Sequence, residues 1–122
     1  MPVKRLTFSK SRRLIRPAEF ERVKKGGRQE RGRLLLLSVL VDNAGGPFRA
    51  GFVTSRRLGR AVIRNRVRRR LREIVRKHQH EIREGAWIVT IARANAATVD
   101  QRQLEAEWLR LAGRASILAA QC

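Results

Sequence analysis

The most concentrated apolar stretch of the chain lies between Arg33 and Val41, where Leu and Val are interrupted only by Ser38. It does not alternate, and it is bounded by Gly32 and by Asp42-Asn43-Ala44-Gly45-Gly46-Pro47. That pattern predicts a strand buried on both faces, followed by a turn. Arg49 to Thr54 reads as a second strand with Ala50, Phe52 and Thr54 on one face, and the two strands are expected to pair as a hairpin. Ala86 to Ala92 (AWIVTIA) is a third strand.

Helical spacing fills the remainder. Pro17 suits a first helical turn, and a short helix through Ala18, Phe20 and Val23 to Lys25 should stop at Gly26-Gly27. A long helix is expected from Ala61 to Gln79, with Ile63, Val67, Leu71, Ile74 and Val75 as its buried stripe. Thr98 or Asp100 can cap a last helix whose stripe is Leu104, Trp108, Leu111 and Ala115. Helix–strand–strand–helix–strand–helix is an α+β order. The long helix is long enough to cross the sheet, which would make the strands on either side of it parallel neighbours. At 122 residues the chain closes one core. Residues 1–16 read as a basic arm, 17–115 as the domain and 116–122 as a tail.

Charge changes the picture from a small domain to a polyanion binder. There are 29 Lys and Arg against 10 Asp and Glu, a formal +19. Self-repulsion on this scale disfavours the compact state, and phosphate backbones are the natural counterpart because basic side chains release their counterions. Residues 1–80 hold 24 of the cations and 5 of the acids, whereas residues 81–122 hold 5 of each. The partner should therefore meet the first two thirds, with the last third as scaffold. There is no apolar run of membrane-spanning length and no secretory signal at the start, so a cytoplasmic protein is expected. The lone Cys122 can form neither an internal disulfide nor a zinc site.

The densest basic segment is SRRLGRAVIRNRVRRRLREIVRK, Ser55 to Lys77, with 11 basic residues and one acid, Glu73. On a helix, Arg64, Arg68, Arg72 and Arg76 form one row and Arg66, Arg70 and Lys77 another, with Asn65 and Arg69 between them on the outer side. Like charges four apart repel, so an external polyanion best explains the arrangement. Arginine suits it, because its planar fork binds phosphate through two bonds and stacks on bases.

Thr54 to Arg69 (TSRRLGRAVIRNRVRR) resembles the bacterial ribonuclease P protein family, in which a Ser and two basic residues end a strand, a Gly follows and a helix carries Arg-Asn-Arg, here Arg64-Asn65-Arg66. Weaker similarity at PAEFERVKKGG, RAGF and AWIVTIAR extends it over about residues 5 to 114. The resemblance implies a single-domain two-layer α+β sandwich of order α-β-β-β-α-β-α, with a split βαβ unit and a left-handed crossover. It implies a protein subunit that helps a catalytic RNA remove the 5′ leader from precursor tRNA, one protein per RNA. Contacts to the catalytic RNA are implied at Arg56, Arg57, Arg60, Arg64, Asn65, Arg66, Arg68, Arg69 and Arg72. A leader cleft between the first helix and the sheet would use Phe20, Lys24, Phe52, Arg12 and Arg13. From the residues alone, Phe20 reads as a stacking ring or a core anchor, and Phe52 as core or cleft floor. Family members often carry a second aromatic where this chain has Lys24, and an aromatic in the first strand where it has Leu34 to Leu37; it has no Tyr. Arg and Lys contacts would then replace part of the stacking.

The resemblance implies that the RNA does the chemistry with Mg²⁺, so no cofactor or metal is expected on the protein. No close carboxylate set resembles a two-metal nuclease site. His78 and His80, two apart, do not share a helical face and read as polar helix-end residues. Glu81 and Glu84 read as a solvated linker, and Trp87 and Trp108 as core. The rival readings are a ribosomal protein, a DNA-binding module and a free-standing nuclease. The Ser-Arg-Arg…Gly…Arg-Asn-Arg order disfavours the first. The nearly all-Arg helix face suits phosphate better than base edges, and the missing carboxylate cluster disfavours the third. One prediction follows from charge alone: added sulfate should increase helical circular dichroism at low ionic strength, and identical spectra with and without it would show that the fold tolerates its own repulsion.

Overall fold

A computed structural model describes residues 16–41 and 46–118. Among these, three α-helices and one four-stranded sheet follow the order α1 (Pro17–Gly26), β1 (Arg28–Arg31), β2 (Leu35–Val41), β3 (Arg49–Thr54), α2 (Ala61–Lys77), β4 (Ala86–Ala92) and α3 (Gln101–Arg114). This is the α+β order with three strands ahead of α2 that the resemblance implies.

The sheet order is β1-β2-β4-β3. β2 and β3 are therefore not a hairpin, contrary to the expectation from their closeness in sequence. β4 lies between them, antiparallel to β2 (Leu37 opposite Thr90) and parallel to β3 (Ala50 opposite Ile88). α2 is the crossover between the parallel pair, as its length suggests. β2 and β4 each have a hydrogen-bonded neighbour on both sides, which accounts for their nearly continuous apolar sequences, broken only by Ser38 and Thr90.

β1 has no hydrophobic signature: of Arg28-Gln29-Glu30-Arg31 only Glu30 is buried. It is an edge strand held from α3. The Glu107 carboxylate, itself buried, accepts the backbone N–H groups of Leu34 and Leu35 through Oε2 at 2.6 Å each and closes the turn between β1 and β2. A Cβ at Gly32 would stand 2.6 Å from that carboxylate, so a larger residue there would push the Glu107 side chain off the two N–H groups it holds. Glu30 adds a second tie, to Arg28 at 2.9 Å and to Arg114 of α3 at 3.3 Å.

The main core lies between the sheet and the α2–α3 layer. Val67, Leu71, Ile74 and Val75 of α2 meet Leu104, Trp108, Leu111 and Ala112 of α3 over Leu35, Leu37, Ala50 and Ile88. The stripe expected for α2 is buried except Ile63, which is half-exposed near the helix start. Trp108 donates its indole N–H to Thr90 Oγ1 at 3.2 Å, so neither polar atom is stranded in the core. Asp100, not Thr98, caps α3, accepting the Gln103 N–H at 2.9 Å. The packed region outlasts residue 115: Ile117 is fully buried and Leu118 bridges Ile82, so residues 116–118 belong to the domain and not to a tail.

His78 ends α2 and does more than face solvent. Its two ring nitrogens meet Glu81 at 2.6 Å and Glu105 of α3 at 2.7 Å, and Lys77 Nζ lies 3.1 Å from Glu105. Glu81 is thus part of a helix–helix tie. Burial disfavours the imidazolium, but the two carboxylates outweigh it and raise the His78 pKa above its ordinary 6.5. The hydrogen bond from His78 is the main cause of a lowered Glu105 pKa. A raised histidine stabilises the fold fully below 6.5 and loses that contribution as pH climbs through the folded value. Stability measured by urea unfolding should therefore decline as pH rises above neutral, and His78→Gln should flatten that decline; an unchanged pH profile in the variant would deny the tie any weight.

Candidate nucleic-acid interface

The basic segment forms a continuous ledge. Ser55 follows the end of β3 at Thr54 and takes the N-cap position of a 3₁₀ turn over Arg56–Leu58, and α2 begins at Ala61. Leu58 is buried and anchors the turn, while Arg56, Arg57 and Arg60 are exposed around it. Gly59 has φ +127°, a conformation that L side chains rarely adopt. The glycine thus lets the chain turn sharply from the loop into the helix. The first turn of α2 carries no acid, so its positive dipole end adds to the arginines.

Within α2 the sequence rows separate by role. Asn65, Arg66 and Arg69 are exposed and point outward together with the loop arginines. Arg64, Arg68 and Arg72 are half-buried; Arg68 donates to Thr54 Oγ1 at 2.7 Å, tying the helix to the end of β3. On the other flank Arg66 reaches the Ala97 carbonyl at 3.4 Å, and Arg70 the Val99 carbonyl at 3.0 Å. Gln101 returns a bond to the Arg70 carbonyl at 3.1 Å. Arg76 pairs with Glu73. The helix is thus fastened along both flanks, and its outward row of Asn65, Arg66 and Arg69 is left facing solvent.

The other face of the sheet carries α1. Val23 and Val89 are buried there, surrounded by half-buried Phe20, Leu40, Val53, Trp87 and Ile91. Pro17, Phe20, Glu21, Lys24 and Val53 line a shallow groove of about 320 Å³. Phe20 presents a partly exposed ring to this groove and Lys24 stands at its rim, so the structure brings these two expected cleft residues together. Phe52 is elsewhere: it lies on the face under α2 and packs against the main core, because it shares the strand phase of Ala50 and Thr54. It is therefore corrected from cleft to core. Arg12 and Arg13 lie outside the described residues.

Trp87, expected in the core, is only half-buried, packed against the small Val23–Val89 cluster. It sits on the α1 face, not in the main core, with the guanidinium carbons of Arg22 and Arg49 4.7 Å and 5.3 Å from its ring centroid. Arg49 also pairs with Glu19 of α1. AWIVTIA is apolar at every position but Thr90, so its composition does not tell one face of the strand from the other. Trp108, by contrast, is core as expected. Among the described residues no three His, Cys, Asp or Glu side chains are grouped so that they could hold a metal ion. No helix there is long and apolar enough to cross a membrane.

Val23 is the only fully buried side chain of α1, so the Trp87 stack should carry much of the helix's attachment. Trp87→Ala is expected to lower stability by about 2 kcal/mol, from lost ring burial and cation–π contact. Trp87→Phe should lose less than half of that. Urea unfolding of the two variants measures it, and a neutral Ala variant would show that α1 is held by other contacts.

Residues 8–116 match the family Ribonuclease P. The ribonuclease P protein component of Symbiobacterium thermophilum is 40% identical over 111 residues, covering 91% of this chain and 96% of its own. That of Acidothermus cellulolyticus is 42% identical over 104 residues, covering 84% and 86%. The ribonuclease P protein of Staphylococcus aureus superposes with a TM-score of 0.82 at 28% identity, over 88% of this chain and 98% of its own. The Thermotoga maritima protein gives 0.75 at 27% identity, over 84% and 96%. Match length, relatives and fold agree, and the chain belongs to the ribonuclease P protein family.

Proposed function

We propose that this chain is the protein subunit of a ribonuclease P ribonucleoprotein that removes the 5′ leader from precursor tRNA. In this reading the catalytic RNA lies on the ledge formed by Arg56, Arg57, Arg60, Arg64, Asn65, Arg66, Arg68, Arg69 and Arg72. The unpaired leader lies in the groove between α1 and the sheet, where the Phe20 ring stacks on a base and Lys24 meets a phosphate. The RNA, with Mg²⁺, performs the hydrolysis, and the protein raises substrate affinity and lowers the Mg²⁺ requirement. The complex works in the cytoplasm with one protein per RNA.

The observation that carries the reading is the division of the sheet between two surfaces. α2 and its ledge occupy one face and the α1 groove the other, and they converge where β3 ends at Thr54-Ser55 beside Val53. A protein so built can hold a folded RNA and a single strand at once. Phosphate contacts position such partners and need little base recognition, which suits a leader of variable sequence.

The test is cleavage of end-labelled precursor tRNA at low Mg²⁺ by bacterial ribonuclease P RNA, with and without the protein. Leader removal that depends on both components is expected. Phe20→Ala should raise KM for a precursor with a long leader and leave one with a single-nucleotide leader unchanged. Binding without stimulation would instead support a general RNA-binding role, and cutting by the protein alone would require an active site of its own.

A further inference from the structure

By composition, residues 81–122 are neutral, with five cations and five acids. The fold sorts these charges. Asp100 is used as the α3 cap. Glu105 turns toward His78 and Lys77 in the seam with α2. Glu107 is buried on the backbone of Leu34 and Leu35. The exposed positions of α3 are Arg102, Gln103, Ala106, Arg110, Gly113 and Arg114, and none is an acid.

We propose that this outer face of α3, joined by Arg33 from the turn between β1 and β2, is a second surface that binds the phosphate backbone of the catalytic RNA. The inference rests on the functional reading above and extends the contact beyond α2. Arg102, Ala106 and Arg110 lie four apart and so share one line along the helix. Ala106 is small, and Gly113 has open space where a Cβ would be, so a backbone can approach between the arginines. Arg33, Leu34, Gln103, Ala106, Glu107 and Arg110 line a groove of about 510 Å³. Its one acid, Glu107, has Oε2 taken by two N–H groups and Oε1 by Arg110. Arg93 donates to the Gly32 carbonyl at 2.9 Å, tying the end of β4 to the turn that carries Arg33.

The internal contacts of these arginines leave donors to spare. Arg110 gives Nη2 to Glu107 at 3.1 Å, and Arg114 gives Nε to Glu30 at 3.3 Å. A guanidinium has five N–H donors, and these side chains remain 59% and 56% exposed. Continuity with the ledge is also built in. The bonds from Arg66, Arg70 and Gln101 sew α2 to the start of α3 on one side of the sheet. An RNA resting on the outward row of α2 has α3 as its next neighbour.

The experiment measures affinity of the full chain for ribonuclease P RNA across a salt series, without precursor tRNA. Three double variants are compared with the parent: Arg102→Gln with Arg110→Gln, the control Lys25→Gln with Arg83→Gln, and the α2 pair Arg64→Gln with Arg69→Gln. Circular dichroism and urea unfolding confirm that each is folded. Two lost phosphate contacts should make the slope of log affinity against log salt shallower by roughly 1 to 2, with weaker binding at fixed salt. The α3 pair should show that change and the control should not. Parent behaviour in the α3 pair, with a loss in the α2 pair, overturns the inference and leaves the functional reading standing. An equal loss in the control overturns it too, because the arginines would then act only through net charge. An α3 effect confined to reactions containing precursor tRNA would assign the surface to the substrate and so refute the proposal. Parent slopes in both pairs would remove the α2 ledge reading, and the α3 extension with it.

Discussion

Repulsion among 29 basic side chains is the constraint that this fold has to meet. It does so by setting most of its described acids against cations or backbone N–H groups. Glu19 holds Arg49 beneath α1, Glu30 holds Arg28 and Arg114, and Glu73 holds Arg76. Glu81 and Glu105 clasp His78, and Glu107 closes the turn between β1 and β2 from α3. Isolated surface ion pairs stabilise little, but several of these carboxylates are partly or wholly buried and join elements distant in sequence. Their second effect is on the surface. With Glu105 and Glu107 engaged in a seam and a turn and the exposed Glu73 paired with Arg76, the outward faces of the basic loop, α2 and α3 are left predominantly cationic. The device that holds the domain together also prepares it for a polyanion.

The sheet order gives that charge its geometry. With β4 inserted between β2 and β3, the parallel pair β3–β4 is forced to use α2 as its crossover. α2 therefore lies across the sheet instead of trailing from it, and its Arg-rich side faces solvent while Val67, Leu71, Ile74 and Val75 face the core. Among the described residues, the same order leaves the reverse side to α1. One short helix does not cover four strands, so Phe20, Val53, Trp87 and Ile91 stay half-exposed and a groove remains. The ledge and the groove are thus two consequences of one strand permutation.

Much of this was legible in the chain. The spans of α1, α2, β3 and β4 follow from period, Gly and Pro positions and the apolar stripe, because those signals are local. The outward row around Arg64-Asn65-Arg66 follows from helical phase. Phe20 and Lys24, paired by the resemblance, line one groove beneath α1. Phe52 does not, since strand phase sends it with Ala50 and Thr54 toward α2. β1 left no trace because an edge strand with one buried residue needs no apolar pattern; only Glu107 and Arg114, more than seventy residues away, show why it is a strand.

The sequence by itself determined the class of partner, the position of the basic helix and the identity of the core stripes, since each depends on composition or on spacing within one element. Tertiary structure alone decided which strands are neighbours, which face Trp87 and Phe52 occupy, and where the charges of the last third point. The reason is physical. Burial and local periodicity are written along the chain, whereas register, side of the sheet and the pairing of acids with distant cations depend on contacts between segments that the linear pattern does not relate.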